Sequence, residues 1–428
     1  MTIATVAAVA AVALAVSSQE ELPPTGTPSP SGPIRVEVVK TGDRWELRRG
    51  GQPYVIRGVG GTGRMELLRS LGGNTVRTWG ADNAQAVLDE AYRHGLTVAL
   101  GIWLGHRSYF DYSNHEQVRE QYENARQIVE RYRNHPALLM WGLGNEMEID
   151  NDTPELWRAI NDLAKMVKEL DPNHPTMTVV AEITPQKIRN IKTYAPEVDI
   201  LGVNSYGGLA TLPDRLREFG WDKPWVVTEF GPLGPWERPR TSWGAALEQT
   251  STEKAALYGR MYAESIAAHR GWNLGSFAFL WGEKQEATPT WFGMFLKSGE
   301  ATEAVDVMSY AWTGRWPEQR APQVHGFEFS AFKQEVAPGT TLTANVRASD
   351  PNGDPLTYRW IVRREVAEER FAGEGEVRPE EIKELPSTGE RVQFPAPTEP
   401  GNYRLYVYVL DGTGRAGTAN LPFRVVRG

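Results

Sequence analysis

The order of apolar and amphipathic stretches over residues 53–310 predicts a repeated strand-helix unit. Apolar runs with no internal alternation are typical of strands buried on both faces, and there are eight: Tyr54–Arg57, Asn74–Trp79, Thr97–Ile102, Ala137–Leu143, Thr176–Ala181, Asp199–Asn204, Trp225–Glu229 and Leu274–Leu280. Apolar residues repeat with helical spacing in the stretches Arg64–Leu71, Ala84–His94, Gln117–Asn134, Pro154–Leu170, Pro185–Tyr194, Leu212–Phe219, Thr252–His269 and Glu303–Tyr310. Eight strands that alternate with helices predict an α/β fold, the (β/α)8 TIM barrel.

The residues before this repeat predict a leader, a linker and a hairpin. Ala4–Val16 is apolar but too short to span a bilayer, and Ala15-Val16-Ser17 offers a cleavage site of small residues. Although no Lys or Arg precedes the run, we expect a signal peptide over residues 1–18 and a secreted or periplasmic protein. A disordered tail or a membrane anchor is the alternative. Residues 19–33 are rich in Pro and Ser and predict a linker, and residues 34–53 predict a hairpin at the start of the barrel domain.

The pattern changes after Trp316-Pro317 to alternation of apolar and polar residues between turn signals. This predicts an immunoglobulin-like β-sandwich over residues 320–428, after a barrel domain over residues 34–319. The boundary near Arg320-Ala321-Pro322 is polar, so we expect the sandwich to be removable with some loss of stability but no loss of barrel chemistry. The segments Asp350–Pro355 and Asp411-Gly412 resemble turns of cadherin or polycystic-kidney-disease modules, whose acids can bind calcium; such turns also form without a metal.

Composition excludes several functional classes. The net charge of −8 and the absence of a Lys/Arg-rich run argue against binding to nucleic acid. The chain has no cysteine, and its seven histidines show no paired helical spacing, so no metal site is predicted. Fifteen tryptophans are many for this length and fit either core packing or stacking against sugars.

A glycine-rich segment, Gly58–Gly63, matches the G-x-G-x-x-G pattern of dinucleotide-binding turns. The next strand ends in Arg77-Thr78-Trp79, whereas a dinucleotide fold needs an acidic residue there for the ribose. Close packing of a loop between a strand and a helix explains the glycines as well. We therefore predict no cofactor.

Two predicted strands end in glutamate. The run Ala137–Leu143 is followed by Gly144-Asn145-Glu146, and Trp225–Val227 is followed by Thr228-Glu229. The carboxyl ends of barrel strands meet at the face that carries active sites. A pair of carboxyl groups there suggests a general acid and a nucleophile on either side of one sugar ring.

With these residues in place, residues 34 to about 315 resemble the clan of retaining glycosidases with (β/α)8 barrels, which includes cellulases, mannanases and the barrel domains of β-galactosidases and β-glucuronidases. The resemblance implies that Glu146 is the acid/base after strand four and Glu229 the nucleophile on strand seven. It implies that Arg77 and Tyr206 hold the ionised Glu229, and that Asn145 binds the sugar 2-hydroxyl. Further substrate-binding positions are implied at Trp79, Trp103, His106, Asn204 and Trp281, where core packing is the alternative for the tryptophans.

The expected function is a secreted retaining β-glycosidase that acts on β-linked polysaccharide or oligosaccharide, with β-glucan or β-mannan preferred. A transglycosylase, or a non-catalytic cell-surface carbohydrate-binding protein on the same barrel, is the alternative. A module like the C-terminal one is common in secreted polysaccharide-degrading enzymes and would allow contact with a cell wall or polysaccharide surface. The acidic loop of Glu148, Asp150 and Asp152 is interpreted as solvated charge, with a cation site as the alternative.

Overall fold

The computed structural model describes residues 32–366 and 378–427. The expected signal peptide and residues 19–31 of the expected linker lie outside this range. The first sheet has three antiparallel strands: β1 (Val36–Thr41), β2 (Arg44–Arg49) and β3 (Gln52–Pro53). Val36 and Leu47 of this sheet are buried in one cluster with Ile56 and Leu139, which lie near the amino-terminal ends of barrel strands. The hairpin therefore covers the end of the barrel opposite the two glutamates.

Eight parallel strands form a closed barrel, in the order that the apolar runs predict. They are β4 (Ile56–Gly60), β5 (Thr75–Arg77), β6 (Thr97–Ile102), β7 (Leu138–Leu143), β8 (Thr176–Ala181), β9 (Ile200–Asn204), β10 (Trp225–Phe230) and β11 (Asn273–Ala278). Strand β11 pairs with β4 and closes the ring. The predicted TIM barrel is confirmed, and every carboxyl end faces one rim.

Helices follow the strands on the outside of the barrel. They are α1 (Met65–Ser70), α2 (Ala84–Arg93), α3 (His115–Tyr132), α4 (Pro154–Leu170), α5 (Pro185–Tyr194), α6 (Leu212–Glu218), α7 (Ser251–Met261) and α8 (Glu303–Thr313). Threonine side chains cap α4, α5 and α7, each accepting from a backbone N–H of the first turn, as at Thr153. In the part of the chain that the structure describes, no helix has the length and apolarity needed to cross a membrane.

The C-terminal residues form a β domain of two sheets. Its strands are β13 (Gln323–Phe329), β14 (Glu335–Val336), β15 (Thr341–Ser349), β16 (Thr357–Arg364), β17 (Glu381–Leu385), β18 (Arg391–Pro395), β19 (Gly401–Leu410) and β20 (Arg415–Val425). One sheet contains β13, β15 and β18, and the other is built on β20, β19, β16 and β17. A separate apolar core, which includes Trp360, Leu405 and Phe423, lies within this domain.

The barrel and the β domain are joined by more than the chain connection. Strand β12 (Ala301–Thr302), which precedes α8, pairs in parallel with the β20 residues Arg415 and Ala416. The backbone N–H of Thr418 donates to Ser251 Oγ of α7 (2.8 Å), and Arg415 forms an ion pair with the buried Asp306 of α8 (3.0 Å). These contacts favour a marked loss of stability when the β domain is removed, because buried barrel groups use its strands as partners. That the barrel keeps its chemistry without the β domain stays a prediction.

Truncation after Gln319 tests this point. We expect the shortened protein to be insoluble, or to unfold at a temperature lower by about 5 °C or more, because β12 and the Asp306 carboxylate lose their partners. Thermal unfolding followed by circular dichroism measures the change. An unfolding temperature equal to that of the full-length chain would show that the junction contributes little stability.

Candidate active site

Glu146 extends from the rim of the barrel on a sharply turned segment after β7. Gly144 has a φ of 76°, and a Cβ at this position would lie 2.0 Å from Met147 Sδ, so only glycine fits. Glu146 itself has a φ of 55°, which is uncommon for a residue with a side chain. Its backbone N–H donates to the Val179 carbonyl of β8 (2.9 Å). The turn and this hydrogen bond direct the carboxyl group toward the barrel mouth.

Glu229, near the end of β10, is buried and accepts from three donors. Arg77 Nη1 (3.0 Å) and Trp79 Nε1 (2.8 Å) donate to Oε1, and the Tyr206 hydroxyl (2.9 Å) donates to Oε2. The Arg77 side chain is also buried, so its charge compensates that of Glu229 in a site with little water. Burial, and then the negative charge of Glu229, raise the pKa of Tyr206 well above its ordinary value, so the hydroxyl remains a donor.

The environment of Glu146 disfavours a negative charge on its carboxyl group, whereas that of Glu229 compensates one. Burial, and then the negative charge of Glu229, raise the pKa of the Glu146 carboxyl to about 8. A hydrogen bond from Asn204 Nδ2 to Glu146 Oε1 (2.7 Å) acts in the other direction but does not offset them. The site therefore combines a carboxyl group with a raised pKa at Glu146 and a carboxyl group at Glu229 that accepts three hydrogen bonds, one of them from a buried guanidinium group.

Asn145 and Asn204 connect the two glutamates. The Oδ1 atom of Asn145 accepts from Arg77 Nη2 (2.6 Å) and Asn204 Nδ2 (3.1 Å), which leaves the Asn145 amide N–H groups to donate elsewhere. Asn204 Oδ1 in turn accepts from the Thr228 hydroxyl (2.7 Å), which fixes which side of the Asn204 amide faces Glu146. Sequence reasoning missed Thr228; its place directly before Glu229 on the same strand was the available signal.

An aromatic wall supports Tyr206. Phe279 and Phe292 lie with their ring centres 6.1 and 5.4 Å from that of Tyr206, and Trp236 meets Tyr206 edge to face at 5.6 Å. Trp79 packs against Phe279 in the same way at 6.0 Å. Sequence reasoning missed Trp236, Phe279 and Phe292, because no local pattern indicates that these three residues share a site.

Trp103 and His106 lie in a second cluster, on the loop after β6. Their rings stack at 4.9 Å, and Trp103 Nε1 donates to the hydroxyl of Tyr109 (2.8 Å). Trp103 keeps 45% of its surface exposed, so its indole is open to a ligand. Burial lowers the pKa of His106, which favours the neutral ring.

Trp281 differs from its expected role as a stacking platform. It is 2% exposed, its Nε1 donates to the Gly63 carbonyl (2.8 Å), and its ring meets Phe295 edge to face. An indole with its surface covered and its N–H satisfied cannot stack on a sugar. The alternative interpretation, core packing, accounts for this residue.

The Gly58–Gly63 segment is explained by close packing next to the same wall. A Cβ on Gly58 would lie 2.5 Å from the Phe277 ring, one on Gly60 would lie 3.0 Å from the Trp79 ring, and Gly61 has a φ of 111°. These glycines therefore let β4 and the loop after it pass directly beneath aromatic side chains. Close packing accounts for these glycines, and none of them requires a bound dinucleotide.

The interpretation of Glu148 and Asp152 as solvated charge is wrong. Glu148 is buried, and its Oε1 accepts from the Lys187 ammonium (2.7 Å) and from the backbone N–H of Ala181 (2.8 Å). Asp152 accepts from Trp157 Nε1 (2.6 Å). Both acids thus fasten the loop after β7 to its neighbours, and an acidic run in the sequence does not show which members turn inward.

One group of acids in the described ranges could hold a cation. Asp350, Asp354 and Asp411 of the β domain have carboxylate oxygens within 4.8 Å of one another. Asp350 Oδ1 accepts the backbone N–H groups of Asn352 and Asp354, and Asp411 Oδ1 accepts those of Thr413 and Arg415. These bonds are those of the Asx turns that the sequence predicts.

Comparison with known proteins finds similarity in the barrel. Residues 64–232 match the family described as "Glycosyl hydrolases family 2, TIM barrel domain". The chain is 26% identical over 189 residues to a β-glucuronidase of Paenibacillus borealis, covering 39% of this chain and 30% of that protein. It is 32% identical over 184 residues to a β-glucuronidase of Chlorocebus aethiops, covering 39% and 26%. The chain thus spans less than a third of the length of these curated relatives.

Solved structures share the fold. The β-glucuronidase of Bifidobacterium dentium in complex with coumarin-3-O-glucuronide superposes with a TM-score of 0.53 at 19% identity, over 66% of this chain and 49% of that one. A β-D-glucuronidase of Dictyoglomus thermophilum gives 0.52 at 18% identity, over 67% and 54%. Matched residues 64–232 include both glutamates, Arg77, Asn145 and Tyr206, whereas Trp236, Phe279 and Phe292 of the aromatic wall lie beyond them.

The raised pKa of Glu146 predicts how stability depends on pH. The pKa of Glu146 is raised from 4.5, its ordinary value, to about 8 in the folded protein. The folded state therefore binds this proton more tightly than the unfolded state does. The resulting contribution to stability is complete below pH 4.5 and is lost as the pH rises to about 8. Glu146→Gln cannot ionise, so we expect its unfolding temperature to exceed that of the wild type by an increasing margin, of roughly a few degrees, across this range. Differential scanning calorimetry measures the margin at each pH.

The control for this experiment is Glu264→Gln, a change at an exposed position of the outer layer. Its margin over the wild type should stay constant with pH. A constant margin for Glu146→Gln would mean that Glu146 ionises as readily in the folded as in the unfolded protein.

Proposed function

We propose that this protein is a retaining β-glycosidase that acts through a covalent glycosyl-enzyme on Glu229. The observation that carries the proposal is the contrast between two carboxyl groups in one network. Glu229 accepts from Arg77, Trp79 and Tyr206, while the pKa of Glu146 is raised to about 8. Retention requires one ionised and one protonated carboxyl group, about 5–5.5 Å apart, so that one attacks the sugar and the other protonates the leaving group.

The first step forms the bond between a Glu229 oxygen and the anomeric carbon as the glycosidic C–O bond breaks. The proton of Glu146 moves to the departing oxygen, and Glu229 gives up its negative charge to the new ester. In the second step Glu146, now ionised, takes a proton from water, whose oxygen attacks the anomeric carbon and releases Glu229. Loss of the charge on Glu229 in the first step favours ionisation of Glu146, because that charge is a cause of the raised pKa.

Asn145 is suited to bind the sugar 2-hydroxyl. Its carbonyl oxygen is already used by Arg77 and Asn204, so the amide group that faces a substrate is a donor. Hydrogen bonds at the 2-hydroxyl of the sugar strengthen in the transition state of glycoside hydrolysis, so this contact would contribute to the rate. Trp103 is suited to stack against a sugar unit at the edge of the mouth, since its exposed face is held in place by His106 and Tyr109.

The preferred substrate class is a β-glucuronide, because the matched relatives are named β-glucuronidases. A β-linked glucan or mannan, the substrate expected from the sequence, is the second candidate. Lys284 is a cation that could serve a substrate carboxylate: its Nζ lies 5.1 Å from the centre of the Phe279 ring and 2.6 Å from Glu286 Oε2. The pairing with Glu286 compensates this charge and thereby favours a neutral sugar.

A panel of substrates tests the proposal and chooses between the two classes. The 4-nitrophenyl β-D-glucoside, mannoside, galactoside and glucuronide are assayed beside β-1,3-glucan, β-1,4-glucan and mannan, with products identified by chromatography. We expect hydrolysis of at least one β-glycoside, and longer products would identify a transglycosylase. If only the glucuronide is cleaved, Lys284→Met should lower kcat/KM about tenfold, the effect of losing one charged contact. No cleavage by a folded protein would favour a carbohydrate-binding role.

We also infer that the mature chain acts outside the cytoplasm, on the strength of the predicted signal peptide over residues 1–18. Amino-terminal sequencing of the natural protein tests this. A new terminus shortly after Ser17 supports export, and an intact Met1 contradicts it.

The roles of the two glutamates predict different responses to azide. Glu229→Ala should lose turnover by about 10⁴-fold or more, because no glycosyl-enzyme can form. Glu146→Ala should retain activity on an aryl glycoside with a good leaving group and be accelerated by azide, with a glycosyl azide of retained configuration. There azide attacks the glycosyl-enzyme from the face that the missing base left open.

Azide rescue of Glu229→Ala should instead give the inverted product. Nuclear magnetic resonance of the anomeric proton distinguishes the two azides. A retained product from Glu229→Ala would reverse the two assignments.

A further inference from the structure

A buried polar cluster joins the β domain to the loops behind the site. Its centre in the β domain is Arg404 of β19, which is 1% exposed. Arg404 Nε donates to Glu365 Oε1 (2.8 Å), Nη1 to Asn420 Oδ1 of β20 (2.6 Å), and Nη2 to the carbonyl of Ala246 in the loop between β10 and α7 (2.8 Å). A buried guanidinium group is retained only where its donors are met, and here one of the acceptors belongs to the barrel.

Glu248, two residues after Ala246, is the centre of the same cluster on the barrel side. Its Oε2 accepts from Asn420 Nδ2 (2.6 Å) and the Thr288 hydroxyl (2.5 Å), and its Oε1 accepts from the Thr290 hydroxyl (2.8 Å) and from Lys254. The segment 246–248 is therefore bound at once to β20 of the β domain and to the loop after β11. The β domain thus supplies two of the donors that hold this segment, Arg404 and Asn420.

These two loops form the aromatic wall. Ala246 belongs to one buried apolar cluster with Tyr206, Phe279, Trp291 and Phe292. Tyr206 is the residue whose hydroxyl donates to Glu229 Oε2. A continuous path of contacts thus runs from Arg404 and Asn420 through the segment 246–248 to the hydroxyl that holds the proposed nucleophile.

We propose that Arg404 and Asn420 of the β domain are positioning residues for the catalytic centre, which they reach through the 246–248 segment and Tyr206. The proposal rests on the assignment of Glu229 as nucleophile. It makes the β domain part of the catalytic unit rather than an attachment with a separate targeting role. Polar groups suit this task because hydrogen bonds fix direction and register, whereas an apolar interface permits small sliding movements.

A double-mutant cycle in the full-length protein tests the proposal on the best aryl β-glycoside of the panel. Asn420→Ala should lower kcat about tenfold with little change in KM, the cost of weakening one hydrogen bond to a charged group. In a Tyr206→Phe background the same change should cost at most about twofold, because the hydroxyl through which it acts is absent. Arg359→Met is the matched control, since Arg359 lies on the same sheet in an exposed pair with Glu384.

An effect of Asn420→Ala that is equal in both backgrounds would overturn the proposal, since a general loss of folded protein multiplies every rate by the same factor. Asn420→Ser serves in place of Asn420→Ala if the alanine variant does not fold. It keeps a hydroxyl but cannot reach both partners, so the same non-additive loss is expected.

A second measurement needs no activity and separates this proposal from the proposed function. The protein is labelled with 5-fluorotryptophan, and the resonance of Trp236, which contacts Tyr206, is assigned by Trp236→Phe. We expect Asn420→Ala to shift this resonance and Arg359→Met to leave it in place, with Trp45 of the hairpin as internal reference. An unmoved Trp236 resonance in Asn420→Ala would sink the proposal. If the wild type cleaves no β-glycoside but the resonance moves, the positioning stands and the assigned chemistry fails.

Discussion

The site depends on the burial of a negative charge at Glu229. A carboxylate that is 6% exposed loses most of its hydration, and the protein must replace it with donors fixed in space. Those donors come from three different places on the rim: Arg77 from β5, Trp79 from the residues just after it, and Tyr206 from the residues after β9. The closed barrel brings the ends of these strands to one point, and the buried charge of Glu229 therefore depends on the fold.

The same charge determines the state of its neighbour. Glu146 is half-buried and receives a hydrogen bond from one side-chain amide rather than an ion pair, and the negative charge of Glu229 adds to the effect of desolvation on its pKa. Two identical side chains therefore stand in different electrostatic environments, which is the condition that acid and nucleophile roles require. Asn145 and Asn204 make the difference stable, because each amide is oriented by an additional partner, Arg77 in one case and Thr228 in the other.

The barrel and the positions of the two glutamates could be predicted from the sequence. The burial of individual side chains could not, for a physical reason. The barrel strands are continuous apolar runs, so their bounds differ by only a few residues from those of β4–β11, and Asn145-Glu146 and Glu229 stand where strands end. Burial of an individual side chain is set by distant partners. Trp281 is covered by Phe295 and the chain near Gly63, and Glu148 by Lys187, contacts that no local pattern indicates.

The junction with the β domain also depends on contacts between residues far apart in the chain, which no local pattern indicates. Residues 319–322 have the polarity of a linker, yet Arg404 contacts a residue 158 positions earlier in the chain, and Asn420 one 172 positions earlier. A strand that serves only its own domain would carry an apolar or exposed residue at such a position. A buried arginine there costs stability unless a partner accepts its donors, so its presence is informative. Arg404 places one of its three hydrogen bonds on the barrel loop, and that loop carries the carboxylate of Glu248, one of whose donors is the amide of Asn420. These contacts in both directions join the two domains into one structure whose contacts lead to Tyr206 and so to Glu229.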